Sequence, residues 1–159
     1  MTPISPSLLD VYLVGVDHRI QWIPATPGAA WLQKIHEFMQ YIEDTCLRLH
    51  IQLIAEEFSE QCLRQSQAQD STARRAADEM DLPHLFCDPD SDERQRLAIQ
   101  TDAGREKEWL RRLTASGKAT ILFICGDDHM DSFATLLHDS GHHAQTLSRS
   151  WGKGWQMID

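Results

Sequence analysis

Residues 119–141 read ATILFICGDDHMDSFATLLHDSG. Ala119 to Cys125 is a continuous apolar run rich in β-branched and aromatic residues, too short for a buried helix and right for a strand covered on both faces. Gly126 breaks it. From Met130 to Asp139 the apolar residues return at helical spacing, and Gly141 marks the stop. Strand, turn and helix within 23 residues are the repeating unit of a sheet with helical crossovers.

The same unit recurs on either side. Val11 to Val16 is a short apolar strand ending at Gly15 and Asp17. A loop with Pro24, Pro27 and Gly28 follows. Ala29 to Leu49 then carries Trp31, Leu32, Ile35, Phe38, Met39, Ile42, Cys46 and Leu49 on one helical stripe. Ile51 to Ala55 is a second strand. Phe58 to Ser66 is polar and helical, and Ser71-Thr72 caps a helix running to Met80 before Pro83. His84 to Cys87 is a third strand. Asp92 to Ala115 is mostly helical with a break expected near Gly104, and Ser116-Gly117 closes it. Ala144 to Leu147 is a weaker fifth strand. Strands alternating with helices predict an α/β fold: three layers, a mostly parallel sheet of about five strands, and helices on both faces. The chain reads as a single α/β domain over 1–159, its core at about 10–148, with the 149–159 tail and its Trp151 and Trp155 left unplaced.

Composition narrows the function. With 159 residues, 42% of them hydrophobic, the chain can bury a real core. The formal net charge of −9 repels phosphate backbones and argues against non-specific nucleic-acid binding. Met1 to Asp10 carries neither a basic nor a long apolar run, and no stretch approaches the ~20 apolar residues of a membrane span. A cytoplasmic protein without membrane or nucleic-acid partners is expected. Cys46, Cys62, Cys87 and Cys125 are widely spaced without a C-x-x-C pair, so free thiols are expected.

Ligands in open parallel sheets bind beyond the carboxyl ends of the strands. Asp17 and His18 follow the first strand, Glu56 and Glu57 the second, Asp88 and Asp90 the third, and Asp127, Asp128 and His129 the fourth. Some of these aspartates, Asp90, Asp92 and Asp127 among them, have an ordinary role as helix caps. The histidines stand in matching frames, Gly15-Val16-Asp17-His18 and Gly126-Asp127-Asp128-His129. In both, the glycine is expected to allow a tight turn that aims the imidazole across the rim. Two histidines with carboxylates form a ligand set for Zn, Mn, Fe or Co, and a carboxylate left over can activate water. In Arg105-Glu106-Lys107-Glu108-Trp109, the stripe Glu106, Trp109, Leu110 and Leu113 puts Arg105 and Glu106 at its rim end. There Arg105 is placed to hold a substrate anion or to orient Glu56.

Two G-x-x-H motifs, the strand-end glutamate in LIAEEF and the R-x-x-x-W helix make the chain resemble, in order, the TraB/Tiki/ChaN/erythromycin-esterase group. The resemblance implies an α/β core with a metal-dependent or esterase-type hydrolytic site. It matches His18 and His129 to the motif histidines, Glu56 to the glutamate with Glu57 as fallback, and Arg105 to the arginine. The chain lacks the long helical insertions of larger members and has Asp17 where some carry glutamate. The first expectation is therefore a metal-dependent hydrolase acting on a small-molecule or peptide substrate. His18, Glu56 and His129 would be the metal ligands, Asp17, Glu57 or Asp128 the base, and Arg105 the anion clamp. A domain of the same fold that binds metal, haem or a small ligand without turnover is the alternative, and a sensor or interaction domain whose rim charges are only caps is a third. His18, Glu56, Arg105 and His129 are expected to converge on one pocket, and Glu56→Gln to abolish any activity or metal binding while leaving the fold largely intact. His36, His50, His84, His138, His142 and His143 are read as structural or surface groups.

Overall fold

The computed structural model describes residues 7–154. Among the described residues seven strands and six α-helices follow in the order β1 (Asp10–Val16), β2 (Trp22–Pro24), α1 (Ala29–Leu49), β3 (Leu53–Glu56), α2 (Glu60–Gln65), β4 (Ala68–Ser71), α3 (Thr72–Glu79), β5 (His84–Phe86), α4 (Ser91–Arg96), α5 (Asp102–Ala115), β6 (Thr120–Gly126), α6 (Met130–Asp139) and β7 (His143–Trp151). Five strands form one sheet in the order β5-β3-β6-β1-β7, and every neighbouring pair is parallel. This is the expected α/β architecture.

Alternation along the strands divides the core in two. Val14, Val16, Ile54, Leu122 and Ile124 face the stripe of α1 and the alanines of α3. Val11, Leu13, Ala55, Phe123 and Cys125 face Trp109 and Leu113 of α5 and Met130, Phe133 and Leu137 of α6. Strands covered on both sides by these layers are the apolar runs that the sequence displays.

Helix ends follow the local chemistry. The Ser71 hydroxyl accepts from the Arg74 N–H and starts α3. Asp90 and Glu93 make a reciprocal capping box on α4. The expected break near Gly104 falls earlier, at residues 97–101, because the Thr101 side chain accepts from the Gly104 N–H and caps α5. Gly104 therefore lies within the first turn. β2 and β4 pair antiparallel in a separate two-stranded sheet that the sequence reading did not contain. β7 runs four residues past Leu147, to Trp151, whose ring packs on Phe38 and Tyr41 at 5.3 and 4.9 Å between centroids. Trp155 lies outside the described residues. Among the described residues, no helix is long and apolar enough to cross a membrane. The four cysteines are free thiols, and only Cys62 is not buried.

Candidate functional site

The carboxyl ends of β1, β3 and β6 lie side by side, and the side chains that follow them meet there. A one-turn 3-10 helix after β1 carries His18 and Gln21, and a second after β6 carries His129. The Nε2 atom of His18 lies 3.7 Å from Glu57 Oε1, and the Nε2 atom of His129 lies 3.5 Å from Glu57 Oε2. Both separations exceed ordinary hydrogen bonds of ~2.7–3.2 Å. The Gly126 N–H donates to Glu57 Oε1 at 2.9 Å, and Arg105 Nη2 donates to Glu57 Oε2 at 2.5 Å.

The other nitrogen of each imidazole is fixed. His18 Nδ1 is 2.6 Å from Gln21 Oε1. Gln21 is 1% exposed, and its amide nitrogen donates to Glu56 Oε1 and to the Glu57 carbonyl, so its oxygen must be the atom facing His18. His129 Nδ1 is 2.9 Å from Glu106 Oε2, and the Ser132 hydroxyl donates to that same oxygen. Each Nδ1 is thus the donor, and each Nε2 faces the one Glu57 carboxylate, with its lone pair where the ring carries no second proton. Lone pairs facing a carboxylate repel it, and a cation between them or a proton on each ring removes the repulsion.

Arg105 joins the elements. Nε donates to Asp88 Oδ1, Nη1 to Asp102 and Nη2 to Glu57. Burial pulls the pKa of Arg105 down, but Asp88 and Glu57 outweigh it and hold the guanidinium above its usual value. Asp88 also accepts from Trp109 Nε1 and Arg94 Nη2. The Arg105 guanidinium lies 5.5 Å from the Trp109 ring, which meets the His129 ring edge to face at 4.9 Å.

His18, Glu57, Arg105 and His129 are brought together, and Glu56 stands behind them. Strand alternation sends Glu56 to the α1/α3 face and Glu57 to the α5/α6 face. Glu56 is fully buried; Gln21 and the Ser71 hydroxyl donate to it, and His84 Nε2 is 2.6 Å away. It reaches His18 only through Gln21, and Arg105 orients Glu57, not Glu56. Asp17 caps the turn before His18 and pairs with Arg19, whose hydrogen bond holds the Asp17 carboxyl below the usual carboxylate range. Asp127 holds the backbone N–H and hydroxyl of Ser150 in β7. Asp128 is exposed. With Asp102, Lys153, His18, Arg105 and His129, these three aspartates line a cavity of about 480 Å³.

The matched glycines serve close approach, not a tight turn. Gly126 has an ordinary extended backbone, φ −62° and ψ 148°. A Cβ there would stand 2.8 Å from His18 Nε2, and one on Gly15 would collide with Asp127 Oδ1. Gln21 was not in the sequence reading; its place one helical turn after His18 was the available signal. Nothing local in the sequence marks Asp88 as the partner of Arg105, Arg94 and Trp109.

Among the described residues, no group of three or more histidine, cysteine, aspartate or glutamate side chains forms a ready-made ion cage. His18, Glu57 and His129 fit a divalent ion in donor type and tautomer, while Glu57 as it stands is committed to Arg105. No protein-family model, no curated protein and no solved structure matches the chain.

Proposed function

We propose that the rim pocket is the site of a metal-dependent hydrolase acting on a small-molecule or peptide substrate. The observation that carries this reading is the pair of imidazoles, each held through Nδ1 and each presenting Nε2 to Glu57. Fixing one ring nitrogen by a hydrogen bond is how metal-binding histidines are oriented. His18, His129 and Glu57 would hold the ion, whose chemistry is to polarise a carbonyl or phosphoryl oxygen and to acidify a water.

The protein's own groups have distinct tasks. Asp128 lines the cavity with no hydrogen-bond partner among the described residues, which suits it to take a proton from water. Arg105 uses three of its N–H donors on Asp88, Asp102 and Glu57, leaving two of the five for a substrate anion. Lys153 adds a second cation at the cavity wall. Non-catalytic binding of a metal or small ligand at the same rim is the second reading, favoured by the Arg105–Glu57 pair that engages the central carboxylate.

Thermal melts with added Zn²⁺, Mn²⁺, Fe²⁺ or Co²⁺ test the reading. At a hundredfold excess over Kd, one of these ions should stabilise the parent by about 2.7 kcal/mol and leave His18→Ala and Glu57→Gln unmoved. The loaded parent should then turn over a member of an ester, amide and phosphoester panel. No stabilisation by any of the four ions would sink the metal; binding without turnover would favour the second reading.

A further inference from the structure

A second cavity, of about 290 Å³, opens on the other side of the His18–Arg105 partition, and Glu57 is part of its wall. Its character differs from that of the aspartate-lined mouth. Trp22 and Phe58 are stacked there, with ring centroids 6.0 Å apart and planes 13° from parallel, and both line it together with Cys62 and Arg94. Arg94 directs Nε to the Pro89 carbonyl and Nη2 to Asp88. Its Nη1 has no hydrogen-bond partner among the described residues, and its side chain is 40% exposed.

We propose that this cavity is a binding subsite for an aromatic carboxylate, either a ligand in itself or the acyl half of the substrate. The ring lies along Trp22 and Phe58, and the anionic group meets Arg94. Asp88 and Glu57 in the same wall are already paired, Asp88 with Arg94 and Arg105 and Glu57 with Arg105, so the free Nη1 of Arg94 beside a flat apolar wall favours a planar anion over an aliphatic or a cationic group. The volume of about 290 Å³ lies just below the range of ligand pockets, about 300–1,000 Å³, so the cavity takes one or two fused rings. Because Glu57 borders this cavity and His129 borders the other, a substrate lying across the partition would bring its scissile bond to the Glu57 carboxylate. That last step rests on the hydrolase reading; binding of the arene does not.

Cys62 supplies the readout. Cys46, Cys87 and Cys125 are buried, so a disulfide reagent such as 5,5′-dithiobis(2-nitrobenzoate) reacts with the native protein first at Cys62. With 2-naphthoate as probe and metal absent, the modification rate should fall at least fivefold in a saturable manner, while cyclohexylammonium leaves it unchanged. Arg94→Gln and Trp22→Leu should each raise the half-protecting concentration about tenfold, a loss of ~1.4 kcal/mol. Trp22 stands in the small sheet, so Arg94→Gln at the exposed edge serves if Trp22→Leu fails to fold. No protection of the parent by 2-naphthoate, or equal protection of Arg94→Gln, overturns the subsite. Protection with these variant effects but no turnover of any aryl ester by the metal-loaded protein upholds the subsite and overturns its place as the acyl half of an ester substrate.

Discussion

At the scale of single residues, the site depends on side chains that are missing as much as on those present. Gly126 leaves the room that His18 occupies, and Gly15 leaves the room for the Asp127 carboxylate that holds Ser150. Gly126→Ala therefore displaces a half-exposed imidazole without touching the core. Its melting temperature should stay within a few degrees of the parent, a surface-sized change of ~0.5 kcal/mol, while ion-dependent stabilisation disappears. Retained ion binding in Gly126→Ala would remove His18 from the site. Glu56 behaves in the opposite way. Its charge is fully buried with Ser71, His84 and Gln21 around it. Neutralising it leaves polar partners facing an amide in a dry environment. Glu56→Gln should destabilise by about 2–4 kcal/mol in a denaturant melt. The expectation that this variant leaves the fold intact holds only for a rim residue. An unchanged midpoint would show that the buried network contributes little.

At the scale of elements, the stretches with strong periodicity were legible. The boundaries expected for α1 and α6 match those observed, because long apolar stripes and caps act locally. β2 and β4 were not legible. Trp22–Pro24 and Ala68–Ser71 are only three and four residues long, and their pairing joins segments far apart in sequence, which no local pattern encodes. β7 is a sheet edge, with Gln145, Thr146, Arg149 and Ser150 exposed, so it lacks the apolar run of a central strand, and only Ala144 to Leu147 stands out in the sequence. The choice between Glu56 and Glu57 needed the strand's register, and a one-residue step exchanges the two faces. Between α1 and α3, Glu43 meets Glu79. Burial first, and then Glu79, push the Glu43 carboxyl above the usual range. A carboxyl raised on folding stabilises the fold below its unfolded value of ~4.3 and loses that contribution as pH rises through the folded value. Glu43→Gln should accordingly melt above the parent at pH 7 and lose the advantage at pH 4. An equal difference at both values would rule out titration of Glu43 as the cause.

At the scale of the whole molecule, one cation ties the sheet to the α5/α6 layer at the site. Arg105 on α5 holds Glu57 beyond β3 and Asp88 beyond β5, and both carboxylates are nearly out of solvent, at 5% and 4% exposure. The guanidinium fork suits this task because its nitrogens serve separate acceptors at once, which an ammonium on a flexible stem does less well. The same contacts that position the central carboxylate thus also hold helix and strands in register. Arg105→Ala would take the one arginine from the buried Glu57 carboxylate, while Asp88 keeps Arg94 and Trp109; losing one partner of a buried pair costs about 3–5 kcal/mol. Loss of packing on Trp109 contributes to that figure but does not depend on the charge of Glu57. The double variant Arg105→Ala/Glu57→Gln separates the two effects. If the charge dominates, removing it should restore more than ~1 kcal/mol of what Arg105→Ala alone loses, measured as coupling in a denaturant double-mutant cycle. Additive losses would mean that Arg105 holds the layers together by packing, and that Glu57 keeps its place between the two histidines through the Gly126 N–H.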